Sequence, residues 1–357
     1  MIISLASFFL TATALPQAAP APQAAVQSRA TLAMTKDGIR VEVVDRPAVG
    51  SGKVETPFGS YFTPLDTVAV VLTVPRTTTW RAELAANPMT SLLPVIGRIN
   101  GDGRIADLLE LTQNIELLWE NSPSDEIARL RAKELVAASN ALWKWGQRLN
   151  PVPEKLDQDE RVEWLWERVL KSDGPTALLY GGRLMEEVIQ AQGGIGDRQV
   201  TQTQLSRAMK SKNPYQVRSA AQLAGFEHVM EVQFGAHILY SSIFHQHPVA
   251  RDGCAVGIAK LYPNHARLYW VDNLFGGKDE HRIRAAWHLV DHLPKQAAGP
   301  LVAGLAATTT RVSRQITVGG LTLRVEDRVR PAHMPLRAAS TTITALGQGI
   351  SISGGDP

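Results

Sequence analysis

All nine histidines of this chain lie between His228 and His333, and none precedes them. Two subsets have spacings that suit a metal. His245-Gln246-His247 is an i,i+2 pair, which on a strand turns both rings to one face. His281, His288 and His292 share one face of a helix, because 100° per residue places His288 and His292 about 20° to either side of His281. His245 and His247 with His288 or His292 would offer three neutral nitrogens, and Asp252 supplies a carboxylate nearby. Zinc or iron held this way could keep a water in an open position and hydrolyse a substrate.

The elements that would carry these residues argue against convergence. Ile283, Ala286, Trp287, Leu289, Val290 and Leu293 centre almost opposite the histidine face, with Arg284 and Asp291 flanking it. A helix buries its apolar stripe, so the histidines are expected to face solvent or a neighbouring subunit. Asp252, five residues after His247, is similar in placement to the acidic ligand that follows the H-x-H of cupins. The glycines that frame that motif are absent, and the many helical stretches fit a cupin poorly.

Other motifs are incomplete. Asn100-Gly101-Asp102-Gly103-Arg104-Ile105 resembles the calcium loop of EF-hand and dockerin repeats over about 12 residues. Asn100, Asp102, Gly103 and Ile105 match the third, fifth, sixth and eighth loop positions. Arg98 and Leu109 stand where the first and last carboxylates belong, so the segment is read as a turn launching a helix with Asp102 as its cap. Gly50-Ser51-Gly52-Lys53 fails as a phosphate loop at Pro47 and Val54 and joins two strands instead. Gly193-Gly194-Ile195-Gly196 lacks the dinucleotide spacing. In residues 201–225, Leu205, Met209, Val217 and Leu223 could hold two helices at an angle, with Arg207, Lys210, Lys212 and Arg218 outside. The turn lacks the glycine usual in a DNA-binding helix pair, so a plain helical hairpin is the better reading.

The periodicity predicts an α+β fold: a small N-terminal β-unit, a central amphipathic helical bundle and a C-terminal mixed α/β unit. Gly38–Asp45 and Thr67–Val74 read as strands within a unit spanning 34–100. Residues 101–200 turn helical. One helix carries Ile105, Leu108, Leu111, Ile115, Leu118 and Trp119; a second starts at Ser122-Pro123 and is stopped by Pro151. A third, from Asp157 to Lys171, buries Val162, Leu165, Trp166, Val169 and Leu170. Trp143 and Trp164 lie off the main stripes and suit contacts with another domain or a partner. The unit 201–337 holds every histidine. Two short helices come first, the second capped by Asn213. Strands follow at Val229–Phe244, Ala255–Tyr262 and Ala266–Asp272, then helices over about 278–293 and 295–308, and a hairpin turning at Gly319-Gly320. A Ser/Thr/Gly-rich tail occupies 338–357.

Residues 1–28 contain no Lys, Arg, Asp, Glu or His. An apolar run from Ile2 to Leu10, small residues at Ala12-Thr13-Ala14 and an Ala/Pro/Gln-rich spacer over 15–33 have the order of a secretory leader, with 1–14 as signal peptide. The apolar run is too short to span a bilayer, so an exported, periplasmic or extracellular protein without an integral membrane segment is expected. Net charge is +3, from 37 basic and 34 acidic residues, too balanced to select nucleic acid as a partner. Cys254 is the sole cysteine, which rules out an intramolecular disulfide and reads as a buried small apolar residue. The expected function is binding or assembly, with a protein partner or self-association and no cofactor; the alternative is a metal-dependent hydrolase built on His245, His247, Asp252, His288 and His292.

Overall fold

The alternation that marks the N-terminal strands produces two small antiparallel sheets in the computed structural model, which describes residues 29–62, 68–75, 87, 89–190, 198–227, 232–306, 314–318 and 321–325. The expected leader, the tail over 338–357, the glycine cluster at 193–196, His228 and His333 lie outside the described residues. β1 (Arg29–Thr35) pairs on one side with β2 (Arg40–Glu42) and on the other with β5 (Val68–Pro75), giving the order β2-β1-β5. β3 (Lys53–Thr56) and β4 (Gly59–Phe62) form a hairpin, with Gly50-Ser51-Gly52 in the connection from β2. Part of the predicted spacer is therefore strand: β1 begins at Arg29, because Leu32 and Ala33 are buried between two pairing neighbours. Composition registers local preference and cannot register that long-range pairing.

Twelve helices follow among the described residues, so the class is mostly helical with small antiparallel sheets at the N-terminus. The first six are α1 (Leu93–Gly101), α2 (Ile105–Glu120), α3 (Asp125–Arg148), α4 (Gln158–Lys171), α5 (Thr176–Gln190) and α6 (Arg198–Met209). The stripes expected for α2 and α4 are buried except at the half-buried Leu118, Trp119 and Leu170, and α4 opens with a capping box between Asp157 and Glu160. Two details differ. Ser124, not Ser122, caps α3 by accepting from the Ile127 N–H at 3.3 Å. Asp102 closes α1 rather than capping α2, and its carboxylate takes the Arg40 guanidinium at 2.8 Å. Between α1 and α2, Gly103 adopts φ +63°, and a Cβ there would stand 2.1 Å from the Arg40 carbonyl oxygen. The calcium-loop resemblance is thus a tight joint between β2 and the bundle. α3 gives way at Leu149–Asn150 to β6, which pairs with β4.

The C-terminal half departs most from expectation. α7 (Pro214–Glu227) is capped by Asn213, whose Oδ1 accepts from the Tyr215 N–H at 3.0 Å. The three predicted strands are instead helices: α8 (Val232–Phe244), α9 (Pro248–Leu261) and α10 (Pro263–Gly276). A continuous apolar run suits a buried strand and a buried helix equally. The signals that decide are the prolines at the first positions of α9 and α10 and the length of each run. α11 (Asp279–His292) and α12 (Pro294–Ala306) come next, and β7 (Arg314–Val318) with β8 (Leu321–Val325) forms the expected hairpin. One hydrophobic cluster runs from Ala33 to Leu301. Trp143 is buried within it, and Trp164 packs edge-on against Tyr180 at 6.0 Å, so both find neighbours inside the chain.

α7 and α9 approach backbone to backbone because small residues face each other at the crossing. A Cβ on Gly257 would stand 2.1 Å from the Ala221 carbonyl oxygen, and one on Gly253 would stand 2.7 Å from Arg218 Cα. Gly257→Ala is expected to force the helices apart and cost about 1–3 kcal/mol in urea unfolding. Gly97→Ala, at an α1 position with nothing within 4 Å of the added methyl, should stabilise by up to about 1 kcal/mol. Similar stabilities for the two variants would contradict the close crossing.

Candidate functional site

The α7–α9 crossing sets Arg218 and Asp252 against each other in the core. Arg218 is fully buried; its Nη1 donates to Asp252 Oδ2 at 2.9 Å and its Nη2 to Asn140 Oδ1 of α3. Its expected place outside the 201–225 helix pair is therefore corrected: α7 is surrounded on all sides, and the guanidinium is buried because Asp252 and Asn140 meet it. Burial alone would raise the Asp252 carboxyl, but the Arg218 charge and the His292 ring hold it down at about 2. His292 Nε2 lies 3.5 Å from Asp252 Oδ1, an electrostatic contact rather than a hydrogen bond.

α11 presents its histidines to the protein, opposite to expectation. His288 is 8% exposed, and its Nε2 donates to the Ser242 carbonyl at 2.7 Å. Its ring stacks with His292 at 5.7 Å and meets Trp270 at 5.3 Å, while His281 packs edge-on against Phe244 at 4.4 Å. The amphipathic argument fails because the α8 terminus and Trp270 supply partners that a periodicity count cannot see. Burial, with the neighbouring His292 ring, pushes His288 down to about 3. What remains half-open is part of the apolar stripe, Ile283, Trp287 and Val290.

The H-x-H pair sits not on a strand but on the joint between α8 and α9. His245 Nδ1 accepts from the His247 N–H at 3.1 Å, and His247 Nδ1 accepts from the Val249 N–H at 3.3 Å. The i,i+2 spacing lets successive rings cap successive amides, as Asn does in a turn. With Nδ1 accepting, His247 Nε2 carries the proton and donates to Glu116 Oε1 at 2.9 Å. Tyr215 Oη donates to Glu116 Oε2 at 2.9 Å, and the Trp119 ring lies 5.0 Å from that of His247. Burial lowers His245 to about 4.

The two histidine pairs therefore make different hydrogen bonds, His247 with Glu116 and His288 with Ser242, while Asp252 is bonded to Arg218 and meets His292 only at 3.5 Å. Among the described residues, no group of three or more His, Cys, Asp or Glu side chains is arranged to hold a metal ion.

Between α3 and α11, with the N-terminal turn of α9 as floor, lies a cleft of about 410 Å³. From α3 it is lined by Lys133, Val136 and Asn140, from α9 by Arg251 and Asp252, and from α11 by Arg284, Trp287, His288, Val290 and Asp291. A second cavity of about 310 Å³ shares Ala132, Arg251, Arg284 and Trp287 and extends toward Trp119 and Arg129. Arg251 Nη1 donates to the carbonyls of His245 and Gln246 at 2.7 and 2.5 Å, and Arg284 Nη1 to that of Ile243 at 2.7 Å. Both cations thus sit at the C-terminal end of α8, where the helix dipole favours them. Sequence reasoning missed Lys133, Arg251 and Asn140. The signal was present on α3, where residues 129, 132, 133, 136, 137 and 140 share one helical face.

No protein-family model, curated protein or solved structure matches this chain. No helix among the described residues is long and apolar enough to cross a membrane.

His288 makes stability depend on pH. Its folded value near 3 lies below the ordinary histidine value of about 6.5, so between those limits the unfolded chain binds more protons. Stability is therefore expected to fall as pH drops below about 6.5, with His245 adding to the slope. The urea midpoint should decrease from pH 7.5 to pH 5, and His288→Gln, which can still donate to Ser242, should flatten that decrease. An unchanged slope in the variant would assign the acid sensitivity elsewhere.

Proposed function

We propose that this is an exported protein that works by binding rather than catalysis, and that its ligand occupies the cleft between α3 and α11. The observation that carries this reading is the half-open apolar stripe of α11, with Trp287 at its centre, inside a cavity of small-ligand size. Arg218 donates to both Asp252 and Asn140 beneath it, and His288 bonds to the Ser242 carbonyl. Groups committed in this way make a rigid wall, and a rigid wall favours binding by reducing what must be ordered when the ligand arrives. Export rests on the uncharged, apolar and proline-containing residues 1–28.

Nile red, a neutral apolar dye, is expected to bind the wild-type protein with enhanced emission, and Ala137→Trp, which fills the cleft, to abolish that emission while leaving the circular dichroism unchanged. The mature protein recovered from the source cell should have lost its first residues, with an N-terminus near Leu15. Metal content decides between binding and the hydrolase alternative. About one zinc or iron per chain, lost in both His245→Ala and His288→Ala, would replace binding with metal-dependent hydrolysis.

A further inference from the structure

The charges around the cleft are unequally compensated. Asp252 is matched by Arg218 beneath the floor. Arg284 has Glu280, an exposed carboxylate on its own helix, as its ion-pair partner. Arg251 donates to two carbonyl oxygens and pairs with no carboxylate among the described residues. Lys133 Nζ stands 4.7 Å from the Trp287 ring centroid and likewise makes no ion pair among the described residues. Three cations therefore border one cavity, and the carboxylates that pair with cations there are Asp252, already matched, and Glu280, mostly in solvent.

We propose that the cleft takes a monoanionic organic acid, its carboxylate set among Lys133, Arg251 and Arg284 and its aromatic or apolar body against Trp287. The proposal rests on the binding reading above and adds the ligand's charge and shape. Arg251 is half-buried at the cleft wall and has no carboxylate partner among the described residues, and a ligand carboxylate matches a guanidinium's planar fork with paired hydrogen bonds. Burial and the adjacent Arg284 charge already depress Arg251 to about 9, and a bound carboxylate would relieve both. A dianion such as a phosphate monoester fits less well, because Asp291 lines the same space and would repel the second charge. The apolar body has Val136, Val290 and the Trp287 ring to cover, and the second cavity gives a longer body room beyond Arg284.

Matched acid and amide pairs test this directly: 1-naphthaleneacetate against 1-naphthaleneacetamide and octanoate against octanamide, titrated calorimetrically into the full mature protein. Each acid is expected to bind roughly tenfold or more tightly than its amide, with a gap that narrows as salt is raised. Lys133 is exposed, so Lys133→Glu should fold normally and reduce the acid's advantage several-fold; Ala137→Trp should abolish binding of both members of a pair. Acids and amides binding alike, with both lost in Ala137→Trp, would overturn the charge assignment and leave the cleft as a binding site. No binding of any probe would overturn both readings. An acid preference untouched by Lys133→Glu and Ala137→Trp would place the anion site elsewhere and overturn the proposal.

Discussion

Much of the C-terminal half depends on one buried guanidinium. Arg218 has no access to water, and its charge is tolerated because Asp252 and Asn140 reach it from α9 and α3. Burial disfavours the charged form and the Asp252 carboxylate restores it, so neither partner is stable in that position without the other. The geometry leaves little tolerance, since the glycines that let α7 meet α9 also set the depth at which Arg218 sits. Removing one side of such a pair strands a charge in the core, which commonly costs about 3–5 kcal/mol. Three helices are thereby held in register, and the floor of the cleft is fixed by the same contact.

A second constraint works at the end of α8. The carbonyl of Ile243 in its last turn and those of His245 and Gln246 just beyond it would be orphans at the junction with α9, and Arg284 and Arg251 collect them from two other helices. That duty brings two like charges together. The electrostatic character of the cleft is thus a by-product of ending a helix: the two guanidinium groups recruited to cap backbone oxygens also line the cavity.

Legibility in the sequence was uneven for identifiable reasons. The helices from Ile105 to Lys171 were readable because they lie at the edge of the bundle, where one face is wet and the apolar period is clean. α8, α9 and α10 were not, because helices covered on nearly every side lose the polar face that distinguishes them from buried strands. Their prolines at 248 and 263 carried the missing information. The histidine pattern was seen and its environment was not. His245 and His247 have the spacing of metal ligands and serve as backbone caps, a use invisible until the joint between α8 and α9 is drawn. For α11, the periodicity identified the apolar stripe and misassigned what covers it, since Ser242 and Trp270 approach from distant parts of the chain. Arg218 looked like a surface charge for the same reason: its partners are 34 and 78 residues away in sequence.

The short strand at Leu149–Asn150 has a consequence for how the molecule can be put together. The β3–β4 hairpin obtains its third strand, and Tyr61 its edge-on contact with Trp145, from chain that is made about ninety residues later. A chain that is synthesised or threaded through a membrane from its N-terminus therefore presents this hairpin early with one edge open, and closes it only when α3 has followed. The interval between synthesis of the hairpin and arrival of its third strand is when the open edge must be kept from pairing with another chain.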